Sequence, residues 1–337
     1  MNAAVRTTVH VSVHEASQVA EARRAALALA VAIGLAQATR DNLALLVTEA
    51  ATNLVKHADR GECVVRTLPA SGGERRGLEI LCIDRGPGIS DLAACMRDGF
   101  STAGSPGSGL GAMRRLATSV DIYSVPGQGT ALALELWEGD APPAAARLRI
   151  GALSVPRRGE RECGDNWSVS DPAAEMLLIV DGLGHGPIAA QASQCAIAAF
   201  AGTAEREPEH QIETLHRALR ATRGAAAAVV RIDREHGSVR YCGVGNTVGA
   251  LFHADGIERM VSQPGTLGSG VVRTRPFEYR WTPSTTLVLH TDGVSSRWDL
   301  SRYPGILARH PSLLAALLYR DFGRAHDDAT VVVAHAA

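Results

Sequence analysis

Apolar and polar residues alternate near the start of the chain, where Val9, Val11 and Val13 are separated by polar neighbours. That period of two predicts a strand over residues 5–13. The period then lengthens to three or four, which predicts two helices over about 16–34 and 38–58. The stretches 62–69 and 78–84 read as strands. Residues 85–108 are glycine-rich with few apolar positions, and are expected to form a mobile loop. A helix over about 109–117 and strands near 119–125 and 130–137 complete this half.

Glu138-Gly-Asp-Ala-Pro-Pro-Ala-Ala-Ala146 pairs prolines with small residues, the composition of a linker. The expected division is a first domain at 1–137, a linker at 138–146 and a second domain at 147–337. In the second domain, strands are expected at 147–155, 174–181, 226–232, 238–243, 247–253, 285–290 and 329–334. Helices over about 186–203, 209–221 and 311–321 interrupt them. Many short strands with a few long helices predict an α+β layered domain. No repeat of fixed period is present.

Composition narrows the function classes. The 337 residues are 46% hydrophobic and 20% charged, enough for two cores and not the signature of disorder. A net charge of -1 gives no electrostatic footprint for nucleic acid or an acidic membrane surface. The six cysteines are scattered without a CxxC pair, as expected of reduced thiols in a cytoplasmic protein. Arg23-Arg24 and the apolar run Ala25 to Ala36 mimic a signal peptide. That run begins far from Met1, follows a strand-like stretch and is too short to cross a bilayer. A buried amphipathic helix is expected there.

Chemistry-bearing residues gather in two groups. In the first, Glu49, Asn53, Lys56 and His57 share one face of the second predicted helix. Such a stripe suits a solvated surface as well as a ligand site. Lys56 is the only lysine among 34 Lys+Arg, so an arginine-rich chain keeps a compact ammonium here. Ile83-Asp-Arg-Gly-Pro-Gly-Ile89 places an aspartate where a strand enters a turn, a position an Asp also takes merely to start the turn. Gly104-Ser-Pro-Gly-Ser-Gly-Leu-Gly111 opens the next helix. Its glycines admit phosphates to backbone N–H groups at a helix N-terminus.

In this order and spacing, the three elements resemble the N, G1 and G2 boxes of the GHKL ATPases over about residues 5–137. Asp98-Gly-Phe-Ser-Thr-Ala-Gly104 followed by Gly109-Leu-Gly resembles the RsbT-type serine kinases of bacterial stress signalling. The resemblance implies a GHKL (Bergerat) α/β sandwich that binds ATP and phosphorylates Ser or Thr on a STAS-domain protein. It implies that Asn53 holds Mg2+ bridging the phosphates and that Glu49 is the base toward the substrate hydroxyl. Lys56 and His57 would lie at the nucleotide. Asp84 would accept the adenine amino group, with Thr130 adding a hydroxyl nearby. Gly86, Gly88, Gly107, Gly109, Leu110 and Gly111 would shape pocket and lid. No histidine-phosphotransfer helix precedes the pocket, which argues against a sensor histidine kinase.

The second group consists of Gly164-Asp165-Asn-Trp167, Val180-Asp181-Gly-Leu-Gly-His-Gly186, His290-Thr-Asp292-Gly293 and His326-Asp-Asp-Ala-Thr330. Each alone reads equally as a turn. Asp181 and Asp292 end apolar strand-like runs, where a sheet collects side chains into one cleft. Clustered carboxylates repel unless cations lie between them. Oxygen ligands without Cys or clustered His favour Mg2+ or Mn2+ over zinc.

This half is similar to the PPM metal-dependent Ser/Thr phosphatases in their SpoIIE/RsbX-type branch, over about residues 147–335. The resemblance implies an α-β-β-α sandwich that hydrolyses phosphoserine or phosphothreonine with two metals. Asp181 would bridge them, with the Gly182 carbonyl, Asp165, Asp292 and Asp327 completing the shells, and Asp328 as a substitute for Asp327. His185 stands two residues later than the histidine of Asp-Gly-His-Gly members, and its part as general acid depends on that shift. Gly243-Val-Gly-Asn246 resembles a loop of this branch without an assigned role. Together the halves imply a partner-switching regulator with opposed kinase and phosphatase activities. The alternative is an ATP-gated binding module that regulates the phosphatase without phosphorylating its partner.

Overall fold

The computed structural model describes residues 8–68, 76–95, 109–139, 148–170, 175–204 and 206–336. The chain forms two compact units, one of Ala4–Ala145 with Leu300–Arg320 and the other of Ala146–Asp299 with Asp321–Ala337. The expected division differs from this in one segment, 300–320, which groups with the N-terminal unit.

The first unit contains β1 (Thr8–Val13), α1 (Ala16–Ala32), α2 (Gln37–His57), β2 (Gly61–Leu68), β3 (Gly77–Ile83), α3 (Leu92–Cys95), α4 (Gly109–Leu116), β4 (Ser119–Ser124) and β5 (Thr130–Trp137). Its strands form one sheet in the order β1-β2-β3-β5-β4, with every pairing antiparallel. Because strand side chains alternate between faces, Cys63, Val65, Leu78, Ile80, Leu132 and Leu134 all point one way. They pack with Ala26, Leu43, Leu46, Val47 and Ala50 of α1 and α2 and with Met113 of α4. Most of the signal-like run, up to Ala32, is therefore part of α1, and its Ala26, Leu29 and Ala30 are buried. Among the described residues, no helix is long and apolar enough to cross a membrane.

The alternate residues of the same strands are also covered. Arg66 and Glu79 are buried and Glu135 is half-buried. Arg66 Nε donates to Glu79 Oε2 at 2.5 Å, and Ser312 Oγ donates to Glu79 Oε1 at 2.5 Å. His310 Nε2 lies 3.2 Å from Glu135 Oε1. Segment 300–320 thus covers the second face of the sheet, which is why β2 and β3 show near-continuous burial instead of alternation. Of the loop expected at 85–108, residues 92–95 form α3 and residues 96–108 lie outside the described residues. Most of the linker lies outside them too.

The second unit contains β6 (Leu148–Val155), β7 (Asp165–Val169), β8 (Met176–Gly182), α5 (Gly186–Ala201), α6 (Pro208–Ala218), β9 (Ala225–Asp233), β10 (Ser238–Val244), β11 (Val248–His253), β12 (Gly256–Met260), β13 (Ser262–Gln263), β14 (Phe277–Arg280), β15 (Thr286–His290) and β16 (Ala329–Ala336). The helix α7 (Pro311–Phe322) precedes β16 in the chain. One sheet runs β13-β10-β9-β8-β7 with β14 on β10, the other β12-β11-β15-β16-β6. Trp167, Leu177, Ile179 and Val230 of the first sheet meet Leu251, Leu287, Leu289 and Val332 of the second in a core between the sheets. On the outer face of the first sheet, Leu178, Val180 and Val229 pack against Ala192, Ala196 and Phe200 of α5 and Ile212 and Leu215 of α6. Both helices start with a proline in the first turn, where the missing N–H costs nothing. The strands β7, β12, β13 and β14 were not expected from the pattern.

Candidate functional site

In the first unit, α2 carries Glu49 and Asn53 on its half-buried side, while Lys56 and His57 are exposed at its C-terminal end. Asp84 follows β3 and is nearly buried. Its Oδ1 accepts the Gly86 N–H at 2.7 Å and the Thr130 N–H at 3.3 Å. The Asp84 N–H donates to Thr130 O at 2.9 Å, so the end of β3 and the start of β5 are tied twice. Burial raises the Asp84 carboxyl above its usual value, against the hydrogen bonds from Gly86 and Thr130 and the charges of Arg320 and His57.

The turns around Asp84 close tightly. Gly86 lies against the His57 carbonyl, and Gly88 against that of Val125. Thr130 Oγ1 is 2.9 Å from Ser124 Oγ, and that hydroxyl accepts the Ile89 N–H at 2.8 Å. Asp84, Gly86, Gly88, Thr130 and the end of α2 therefore surround one place. Gly109, Leu110 and Gly111 form the first turn of α4, while Gly107 lies outside the described residues. Sequence reasoning missed Ser124 and Arg320, whose Nη1 donates to the Asp84 carbonyl at 3.1 Å. No local signal marks a residue so distant in the chain.

In the second unit, Asp165 opens β7 directly opposite Asp181 near the end of β8. Asp292 follows β15, and Asp327 and Asp328 precede β16. Asp292 lies beside both Asp181 and Asp327, and its charge raises the carboxyls of both. Burial, then the charges of Asp292, Asp327 and Asp328, pushes Asp181 up to about 8. Burial and the Asp181 charge raise buried Asp165 well above the usual carboxylate range. Burial and the Asp292 charge raise Asp327 as well. Carboxylates forced to share protons in this way form a site whose charge a divalent cation would balance, and the all-oxygen donor set suits Mg2+ or Mn2+.

Asp328 is held differently. Its Oδ1 accepts the Arg157 N–H at 2.7 Å and its Oδ2 the Gly164 N–H at 3.0 Å. Both oxygens secure the strand entry that carries Asp165. Gly293 passes so close that a Cβ there would lie 1.8 Å from the Asp328 carbonyl, which only glycine permits. Gly182 is buried between the carbonyls of Gly164 and Ala189. Thr291, which the sequence reading did not single out, donates from Oγ1 to Asp165 Oδ2 at 2.6 Å. His185 is the exposed N-cap of α5, with Nδ1 2.8 Å from Glu160 Oε1.

A second acidic group, Glu79, Glu135 and His310, brings its ligand atoms within 4.8 Å of one another. The buried Arg66 guanidinium already supplies the positive charge there, so the group is a neutralised polar network of the first unit.

Residues 13–136 match the family described as histidine kinase-like ATPase domain, and residues 171–337 match stage II sporulation protein E (SpoIIE). The chain is similar to the serine/threonine-protein kinase RsbT of Bacillus subtilis, 32% identical over 105 residues, covering 31% of this chain and 77% of that one. It is also similar to the phosphoserine phosphatase RsbX of the same organism, 29% identical over 145 residues, covering 41% and 71%. A solved chain from work on the bacterial stressosome, a modular system adapted to control secondary messenger signalling, is 30% identical with a TM-score of 0.50. That match covers 56% of this chain and 99% of the other.

Proposed function

We propose, for a chain that belongs to the RsbT-related histidine kinase-like ATPases and carries at its C-terminal end a SpoIIE/PPM domain with homology to RsbX, that it is a bifunctional cytoplasmic partner-switching regulator. ATP and divalent metal ions are the ligands that such domains use in general. The first domain phosphorylates Ser or Thr on a STAS-domain protein, and the second hydrolyses phosphoserine or phosphothreonine on the same protein or a relative. The observation that carries the reading is that Asp165, Asp181, Asp292 and Asp327, from four separate stretches, meet in one place, where burial and neighbouring carboxylate charge raise the carboxyls of Asp165, Asp181 and Asp327.

In the kinase reaction, Glu49 accepts the proton of the attacking hydroxyl. Asn53, one turn further along α2, would hold Mg2+ at the phosphates, and Lys56 and His57 would face the nucleotide. Asp84 selects adenine through its amino group, and Thr130 adds a hydroxyl beside it. Gly86, Gly88, Gly109, Leu110 and Gly111 would shape the pocket and its rim. Phosphoryl transfer asks mainly for such positioning and charge neutralisation.

In the phosphatase, Asp181, the Gly182 carbonyl, Asp165, Asp292 and Asp327 would hold the two Mg2+ or Mn2+ ions. The ions supply phosphate binding and a water of lowered pKa. Asp328 keeps the strand entry in place. His185, oriented by Glu160, protonates the leaving oxygen.

A STAS-domain protein incubated with γ-labelled ATP, Mg2+ and Mn2+ tests the reading. Label that accumulates with Asp181→Ala and not with wild type is the expected result, and Glu49→Ala added to Asp181→Ala removes it. A partner retained by nucleotide-loaded Glu49→Ala, with no label formed by Asp181→Ala, would instead favour the ATP-gated binding module.

A further inference from the structure

Asn246, in the exposed turn after β10, donates from Nδ2 to Asp292 Oδ2 at 2.6 Å. The turn is rigidly placed. Gly245 has φ +93°, and a Cβ there would lie 2.4 Å from Ala226 Cβ on β9. The Gly245 N–H donates to Gln263 O at 2.8 Å, which ties the turn to β13. Asp292 is also anchored, since Gly293 O accepts the Arg324 N–H at 2.7 Å. Two fixed backbone turns therefore bring one amide against one carboxylate.

We propose that Asn246 is a positioning residue that sets the orientation of Asp292 and thereby the affinity of the acidic cleft for a divalent cation, an inference that rests on the two-metal reading of the cleft. Asp292 is the carboxylate that neighbours both Asp181 and Asp327. With Oδ2 taken by Asn246, its other oxygen is directed by the rigid carboxylate plane. A primary amide donates without carrying charge. An arginine or lysine would orient Asp292 equally well, but would cancel the negative charge that binds the cation. The amide therefore fixes direction and preserves charge. Residues that hold metal ligands in this way typically change affinity about 10–100-fold when removed.

The test uses the full chain and Mn2+ alone as probe. Binding is followed by loss of the free-ion electron paramagnetic resonance signal and by titration calorimetry, for wild type, Asn246→Ala, Asn246→Ser and Asp181→Ala. Both Asn246 variants are expected to bind Mn2+ about tenfold or more weakly, with unchanged thermal midpoints in EDTA because the turn is exposed. The Mn2+ concentration for half-maximal hydrolysis of p-nitrophenyl phosphate should rise in parallel, with KM for the ester unchanged. Mn2+ binding within twofold of wild type in both variants would overturn the proposal. A raised KM with an unmoved Mn2+ midpoint would also overturn it, since Asn246 would then touch substrate. A wild-type chain that binds Mn2+ no better than Asp181→Ala would overturn the two-metal reading itself, and the proposal with it.

Discussion

Arg320, 6% exposed, donates a hydrogen bond from Nη1 to the backbone carbonyl of Asp84 at 3.1 Å, across 236 positions of sequence. Its charge also lowers the proton affinity of the Asp84 carboxyl against the opposing effect of burial. Replacing Arg320 by Ala removes both. Stability of the first unit is expected to fall by about 1.5–3 kcal/mol, the usual range for a hydrogen bond to a charged group. Binding of a fluorescent ATP analogue should weaken several-fold, because Asp84 is then harder to keep ionised. Urea unfolding and nucleotide titration of the same variant measure the two effects.

The network on the covered face of the first sheet predicts both a truncation effect and a pH effect. Glu79→Ala takes away the buried carboxylate to which Arg66 Nε donates, and breaking a buried pair in this way typically costs about 3–5 kcal/mol. For Glu135, burial raises the carboxyl, but the hydrogen bond and charge of His310, with Trp137 and Arg66, bring it below the usual 4.5. Glu62 is lowered likewise: burial opposes, while His10 and Tyr319 prevail. A carboxylate whose folded value is depressed contributes stability that is complete above its unfolded value. That contribution is lost as pH falls through the lower folded value. Acid unfolding of the first unit, followed by its circular dichroism, should therefore begin below about pH 4.5. In His310→Ala, which takes away the main influence that lowers Glu135, stability at neutral pH and its loss in acid are both expected to be smaller.

The cleft of the second unit has the opposite sign. Asp181 is raised to about 8 from its usual 3.8. Between those values the folded, metal-free protein holds more protons than the unfolded chain, so stability falls as pH rises. The thermal midpoint in EDTA is expected to drop from pH 6 to pH 8. Mn2+ should raise it more at pH 8 than at pH 6, because binding at the lower pH must first displace protons. Scanning calorimetry at both pH values, with and without Mn2+, reads all four states.

The neighbours Asp327 and Asp328 should separate cleanly. Asp328→Ala leaves the Arg157 and Gly164 N–H groups without their acceptor, at a cost of about 1–3 kcal/mol for each buried group. The fold of the second unit should suffer first. Asp327→Ala is expected to leave the metal-free thermal midpoint unchanged or higher, since a repelling charge is removed, while Mn2+ binding is weakened. Thermal midpoints in EDTA and Mn2+ titrations of the two variants distinguish a structural carboxylate from a ligand.

Much of this protein is local enough to read without a fold. Val9, Val11 and Val13 announce β1, the periodic stretch at 38–58 announces α2, and the runs ending at Asp181 and Asp292 announce β8 and β15. β12 escaped because four of its five residues are exposed, so it has no buried face to produce alternation. β7 escaped because it is short and mixes Asp165 and Asn166 with Trp167. Asn246 stood in a motif without a role, since its partner Asp292 lies 46 positions away.

The sequence by itself determined most of the elements, the two halves and the candidate side chains, because backbone periodicity, turn chemistry and donor type are properties of neighbouring residues. Only the tertiary structure decided that 300–320 covers the second face of the N-terminal sheet, that Arg320 reaches Asp84, and that Asp328 is spent on backbone amides beside Asp327. Those outcomes depend on burial and on long-range hydrogen bonds. Neither is defined until distant segments have packed together.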